Sequence, residues 1–341
     1  MSRSATLVLA LLTHLPLVTP ALAQATPPQQ TTRTLLVNVV DRKGNPVSGL
    51  TKTNFRVRLN GKPVAILSAA YSVAPRRIVV LLDMSGSMGG NLSRDNTWLI
   101  AREAVQDVLE QMPADTPIAF LTFSDHVLDA FDLSQSRSSL VAWLQKGRTD
   151  RSDVKGRTAL RDAIIAGTKL FRQPQPGDAI YAITDGGDNA SHISTTNTTR
   201  ALLGSGVRFY AFAFRVHYFP TEEERLGEGE LEEMVRDSGG FVFGVTGGVT
   251  QGVSFLPSWD FQYDYNEKTR DTVNLYTQML KAQVNGFYTL RFDAPASRKE
   301  SKIKLELKEE SGAAKKNVAF TYQRILPAEN SSTTEMLTGA R

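Results

Sequence analysis

Residues 78–87 read Ile-Val-Val-Leu-Leu-Asp-Met-Ser-Gly-Ser, an unbroken apolar run that stops at an aspartate and two serines spaced two apart. A β-branched, leucine-rich run without alternation has no face to offer water. It specifies a strand covered on both faces at the centre of a parallel sheet. Ligands of open α/β sheets bind outside the carboxyl ends of such strands, which places Asp83, Ser85 and Ser87 on a solvent-facing rim.

The following two hundred residues alternate between strand and helix patterns. Ala101, Ala104, Val105, Val108 and Met112 share one helical face, with Ser93 or Asp95 as a candidate cap. Residues 117–123 read as the next buried strand, 127–131 as a shorter edge strand and 138–145 as a short helix. Leu160, Ile164, Gly167 and Phe171 recur at helical spacing; residues 179–184 form a strand ending in Asp185-Gly186-Gly187, and 207–214 another. Residues 231–235 are helical and end at Gly239-Gly240 before a strand at 241–245; Val273, Tyr276, Leu280 and Val284 mark a last amphipathic helix. Repeated strand-helix units of this kind predict a doubly wound, Rossmann-like α/β domain over 76–284, its mostly parallel sheet covered by helices on both faces.

The flanks change period. In the N-terminal β segment, 33–75, residues 34–40 read as a strand, and Phe55, Val57 and Leu59 alternate with polar residues before Asn60-Gly61, Val64 and Ile66, a hairpin with a two-residue turn. In the C-terminal β segment, 285–326, residues 287–292 and 318–322 read as strands, and Ile303, Leu305 and Leu307 alternate with Lys302, Lys304, Glu306 and Lys308. One apolar and one charged face mark an antiparallel sheet. Neither segment alone has enough strands to be stable, so the two are expected to pack together as a small antiparallel β-sandwich into which the α/β domain is inserted.

At the ends, Arg3, an apolar stretch from Ala5 to about Val18 and the small-x-small site Ala21-Leu22-Ala23 read as a signal peptide over 1–23, cleaved after Ala23. The stretch is too short, and Pro16 and Pro20 are wrongly placed, for a transmembrane anchor. Residues 24–32 read as a flexible linker and 327–341 as a disordered tail. Cysteine is absent, which excludes disulfides, thiolate metal sites and cysteine nucleophiles. An exported chain without disulfides fits a secreted or periplasmic bacterial protein. Lysine and arginine outnumber aspartate and glutamate only 39 to 35, without a basic block, so no nucleic acid partner is indicated.

Three loops at strand ends carry the chemistry: the first with Asp83, Ser85 and Ser87, the second Gly156-Arg157-Thr158, the third Thr184-Asp185-Gly186. Their carboxylates and hydroxyls are hard oxygen donors, which suit Mg²⁺ or Mn²⁺, ahead of Ca²⁺, and not zinc or copper. An ion held largely by neutral hydroxyls keeps much of its charge and seeks an anionic oxygen from outside. The alternative is wholly structural: Ser87 and Thr158 as helix caps, Asp185-Gly186 as a turn. Enzyme readings fit less well. Phosphoryl transfer through an Asp-x-Asp loop needs a second aspartate where Ser85 stands, a serine hydrolase needs glycines two residues to each side of its serine, and no P-loop lysine follows Gly86. His126, His192 and His217 show no metal spacing, and the acidic residues Glu222–Glu224, Glu228 and Glu230 read as a solvated helix entrance.

In order and spacing, Asp83-Met-Ser85-Gly-Ser87, Thr158 and Asp185 resemble the metal-ion-dependent adhesion site of von Willebrand factor type A domains, and the resemblance extends over about 76–284. Val40 to Leu50, and Leu231-Glu232-Glu233 with Ser238-Gly239-Gly240, are similar to the bacterial secreted proteins of that type. The resemblance implies that Ser85, Ser87 and Thr158 are metal ligands, that Asp83 and Asp185 act directly or through water, and that an exposed Glu or Asp of a partner protein completes the shell. Arg157, where the family often has a small residue, and Asp188 are placed to support this set or to touch the partner. The implied function is a secreted or envelope protein-binding module for adhesion or assembly, not an enzyme. A structural or assembly scaffold with an incidental metal is the alternative, and a metal-dependent phosphoryl hydrolase the remote one.

Overall fold

A computed structural model describes residues 30–89, 96–146, 151–214, 222–244 and 266–329, with the backbone alone at Arg151 and at 222–225. The signal peptide, the first part of the linker, Ser93, Asp95, His217, the side chains of Glu222–Glu224 and residues 330–341 lie outside what is described.

In chain order, four strands come first: β1 (Gln30–Asp41), β2 (Phe55–Leu59), β3 (Lys62–Val64) and β4 (Ile66–Val73). The α/β unit follows with β5 (Ile78–Asp83), α1 (Thr97–Gln111), β6 (Ile118–Phe123), β7 (Val127–Phe131), α2 (Arg137–Lys146), α3 (Leu160–Leu170) and β8 (Ala179–Thr184). It continues with α4 (Thr195–Ser205), β9 (Arg208–Ala213), α5 (Glu222–Ser238), β10 (Val242–Phe243) and α6 (Glu267–Asn285). The chain closes with β11 (Gly286–Pro295), β12 (Ser301–Leu307), β13 (Val318–Tyr322) and β14 (Ile325–Leu326).

The unbroken apolar runs take the centre, as their patterns require. Every residue of β5, β6, β8 and β9 is buried. These strands form a six-stranded sheet in the order β10-β9-β8-β5-β6-β7, parallel except for β7, which runs antiparallel to β6. One face packs on α1 and α6 through Val105, Val108 and Leu280, the other on α3 and α5 through Ile164 and Leu231. Burial of both faces is what makes the non-alternating sequence stable in water.

The flanking strands form two four-stranded sheets, β13-β1-β11-β4 and β14-β12-β2-β3, each mixing N- and C-terminal strands. Leu35 and Val37 of β1, Val57 of β2, Leu290 of β11 and Leu305 of β12 meet in one core, so neither segment could bury its apolar face alone. The β2–β3 turn has both central residues at positive φ, Asn60 at 47° and Gly61 at 83°, as a two-residue hairpin of this hand requires. A side chain at Gly61 would meet nothing within 4 Å. Gly61→Ala should therefore cost only the left-handed backbone penalty, about 1–2 kcal/mol, read as a lowered denaturant midpoint with an unchanged slope.

Several boundaries differ from the sequence expectation. Strand β1 starts at Gln30, inside the segment read as linker, because the length of β11 offers Gln30–Thr32 a backbone to pair with. Part of the segment read as a tail is held too: Pro327 accepts a hydrogen bond from Arg33 at 2.7 Å, and Glu329 one from Thr31 at 2.5 Å. The hairpin strand breaks at Ala65, and β4 crosses into the other sheet. Helix α1 begins at Thr97 with Asn96 as its cap residue, and the acidic run lies within α5, not ahead of it.

Sandwich and α/β unit join around one buried guanidinium. Arg208, the first residue of β9, is 3% exposed. It donates to Asn38 Oδ1 of β1 at 3.0 Å, the Tyr210 hydroxyl at 2.8 Å, and the carbonyls of Gln283, Val284 and Gly177 at 2.9, 3.0 and 2.9 Å. It also stacks over Phe287 of β11, 4.6 Å from the ring centre. A cation at the carboxyl end of α6 faces the negative end of the helix dipole.

Candidate metal centre

The chain reverses direction across the sheet between β5 and β8: β6 and β7 extend it to one side, β8, β9 and β10 to the other. Loops leaving two such strands diverge and open a crevice at their carboxyl ends. The Asp83–Ser87 loop leaves β5 there, and the Asp185–Gly187 loop leaves β8.

Asp83 is fully buried at the end of β5. Its Oδ1 accepts from the Ser85 amide at 2.8 Å, and its Oδ2 from the Thr184 hydroxyl at 2.6 Å. Ser85 is 1% exposed, Ser87 is exposed, and their hydroxyl oxygens stand 3.1 Å apart. The second loop is tied to the first through its backbone, Lys155 donating to the Met84 carbonyl at 2.9 Å and Gly86 to that of Gly156 at 3.0 Å. Thr158 is 4% exposed. Its amide donates to Asn189 Oδ1 at 3.0 Å, its carbonyl accepts from the Asn189 and Ala190 amides, and among the described residues its hydroxyl has no partner. The third loop is held from behind by α5. A Cβ on Gly227 would come within 2.6 Å of the Gly186 carbonyl, so only glycine lets the helix lie this close.

Burial, and after it the neighbouring Asp185 carboxylate, raises the pKa of Asp83 well above the ordinary carboxylate range, while hydrogen bonds from Thr184 and Ser85 pull the other way. Two carboxylates in a buried crevice repel each other, and a divalent cation removes that penalty. Buried oxygens, a paired carboxylate set and an unpartnered hydroxyl thus fit a hard cation. Among the described residues no three carboxylate or imidazole groups converge, so such an ion would depend on hydroxyls for much of its shell.

The two flanking residues separate. The Asp188 side chain, 4% exposed, is occupied by Arg161, whose amide donates to it at 2.8 Å and whose guanidinium pairs with it at 3.2 Å, and by the Ser191 hydroxyl at 2.8 Å. It anchors the start of α3 and is withdrawn from any partner. Arg157 is exposed. Two further residues position the set. Thr184 holds the inner carboxylate, and Asn189 clamps Thr158; a threonine closing a buried strand directly before an aspartate is the one sign that pointed to the former. Thr184→Val removes the donor to Asp83 Oδ2 and should destabilise the cation-free protein by about 1–3 kcal/mol, measured by denaturant unfolding in chelator.

Residues 78–187 match the family model of the von Willebrand factor type A domain. No curated protein matches the chain significantly in sequence. Among solved structures, the chain is similar to an aerotolerance-related membrane protein from Bacteroides fragilis, at 15% identity over 62% of this chain and 98% of that one, with a TM-score of 0.42. It is also similar to a von Willebrand factor type A protein from Catenulispora acidiphila, at 12% identity over 91% and 76%, with a TM-score of 0.40. A third is proximal thread matrix protein 1 of the mussel byssus with a zinc-occupied MIDAS motif, at 18% identity over 67% and 49%, with a TM-score of 0.40. At these values they say nothing of what this chain binds. Among the described residues no helix is long and apolar enough to cross a membrane.

Proposed function

For a chain that carries a von Willebrand factor type A domain at 78–187, we propose a divalent-cation-dependent protein-binding module acting in adhesion or assembly outside the cytoplasm. Ser85, Ser87 and Thr158 would hold Mg²⁺ or Mn²⁺, with Asp83 and Asp185 direct or through water, and the ion supplies positive charge for a glutamate or aspartate of the partner. The observation that carries this reading is the fully buried Asp83 carboxylate beside Asp185, at a rim that also presents the exposed Ser87. Ser85 stands where a transferring enzyme needs a second acid, so binding and not turnover is the proposed activity. Export is supported by the apolar leader and the absence of cysteine.

The test is a pull-down from the producing cell's envelope with the mature chain, in Mg²⁺ and in chelator, beside Asp83→Ala. Partners held by the wild type in Mg²⁺ and lost both on chelation and in the variant support the proposal. Partners retained in both conditions favour the scaffold, in which the metal is incidental.

A further inference from the structure

The rim beside Ser87 carries two cations that nothing in the fold explains. Lys155 and Arg157 are both exposed, on a loop whose backbone is pinned to the Asp83–Ser87 loop by the Lys155 amide donating to the Met84 carbonyl and the Gly86 amide donating to the Gly156 carbonyl. Among the described residues Arg157 has no hydrogen bond, ion pair or ring partner. The other arginines between 76 and 285 whose side chains are described all do: Arg77 grips Asp178, Arg137 the Met112 and Pro113 carbonyls, and Arg161 both Asp188 and Glu230. The same holds for Arg76, Arg102, Arg172, Arg200, Arg208, Arg236 and Arg270.

Positive side chains next to a cation site weaken the cation's own binding. At about 8 Å in water each unit charge contributes ~0.5 kcal/mol against another. They help only when anions arrive. Summed over a divalent ion, two ionised aspartates and the two rim cations, the rim keeps a net positive charge of which a single partner carboxylate at the ion offsets only part. The acid that faces this loop from its other side is Asp125, whose Cγ lies 3.8 Å from where a Gly156 Cβ would stand. Its carboxylate is already held by His126 Nδ1 at 2.5 Å and the Ser124 hydroxyl at 3.2 Å. Asp153, half-buried, precedes the pair in the same loop.

We infer that Lys155 and Arg157 are specificity-determining residues that make this rim select a partner segment with two or more closely spaced acidic side chains. The inference rests on the proposed cation site. Residues two apart lie within roughly 7 Å along the chain, and acids at alternate positions of an extended partner share both that spacing and one face. One acid meets the cation while its neighbours meet Lys155 and Arg157.

Two labelled peptides test this, a glycine-serine peptide with a single glutamate and one reading Glu-Ser-Glu-Ser-Glu. Each is titrated by fluorescence anisotropy against the full mature chain in Mg²⁺ and in chelator, alongside the double variant Lys155→Ser/Arg157→Ser and Asp125→Asn. The three-acid peptide should bind the wild type about three- to tenfold more tightly than the single-acid peptide at low salt, with the advantage shrinking as salt rises. The double variant should lose that advantage while keeping a Mg²⁺-dependent rise in Tm at least as large as the wild type's, and Asp125→Asn should enlarge the advantage. A Mg²⁺-dependent rise in Tm without any preference for the three-acid peptide, or a preference that survives the double substitution, overturns this inference alone. Absence of any Mg²⁺ effect on Tm overturns the cation site, and this inference with it.

Discussion

Arg208→Met should destabilise the protein by about 3–5 kcal/mol, because several buried neutral acceptors lose a donor at about 1–3 kcal/mol each, partly offset by the burial of the charge that is removed. Methionine approximates the volume of the arginine stem, so packing changes little and the loss is polar. Val284, Gly177, Asn38 Oδ1 and the Tyr210 hydroxyl lose a donor together; the Gln283 carbonyl keeps another, from Asn38 Nδ2 at 2.7 Å, and Asn38 Oδ1 keeps only the long one from the Tyr210 hydroxyl at 3.5 Å. Those acceptors belong to β1 of the sandwich, the carboxyl end of α6 and the start of the six-stranded sheet, so the two units loosen together. At roughly 2–4 °C per kcal/mol for a domain of this size, Tm should fall by about 10 °C. Arg208→Lys should recover little, since an ammonium has three donors and no plane to lie against Phe287. A loss below about 1 kcal/mol would mean that the guanidinium is not what joins the units.

Asp83→Asn should move stability and cation response in opposite directions. The amide is nearly isosteric and keeps an oxygen for the Ser85 amide, but it removes the charge that burial and Asp185 make costly. Because folding raises the pKa of Asp83, its ionised form opposes folding. That cost is absent below about pH 4, where the carboxyl is protonated in folded and unfolded chains alike. It grows as pH rises and is complete above the folded-state pKa. In chelator at pH 8 the variant should therefore be more stable than the wild type, by on the order of 1–4 kcal/mol, and equal to it in acid. In Mg²⁺ the gap narrows by whatever the wild type gains from the ion. A ligand at a hundred times its Kd stabilises the wild type by about 2.7 kcal/mol, and the variant should gain nothing. Unfolding curves for both proteins, in chelator and in Mg²⁺ at two pH values, read both effects; an equal Mg²⁺ gain would sink the assignment of Asp83.

What the sequence disclosed follows from how local each cause is. The runs of β5, β8 and β9 can be stable only between two covering layers, so their places at the sheet centre were legible. The alternation in β12 likewise identified a strand with one wet face. Strand β4 was not legible: Ile-Leu-Ser-Ala-Ala-Tyr-Ser-Val neither alternates nor runs apolar, and it is a strand because β11 offers it a full-length partner. The early start of β1 has the same origin. Arg208 was the least visible, because all its acceptors but the Tyr210 hydroxyl come from segments far along the chain on both sides. At the rim, the oxygen types in three loops were readable and their convergence followed from the strand order. The direction of each side chain was not. Asp188 faces Arg161 instead of the rim, and Asn189 rather than a helix cap fixes the Thr158 backbone.

Asp83, Ser85, Ser87, Thr158 and Asp185 are proposed to hold one divalent cation. Isothermal titration of Mg²⁺ into the chelator-stripped mature chain, and into Ser85→Ala, tests it most directly. One site per chain in the wild type and none in the variant is the predicted result. No binding to the wild type, or equal binding to the variant, would contradict it.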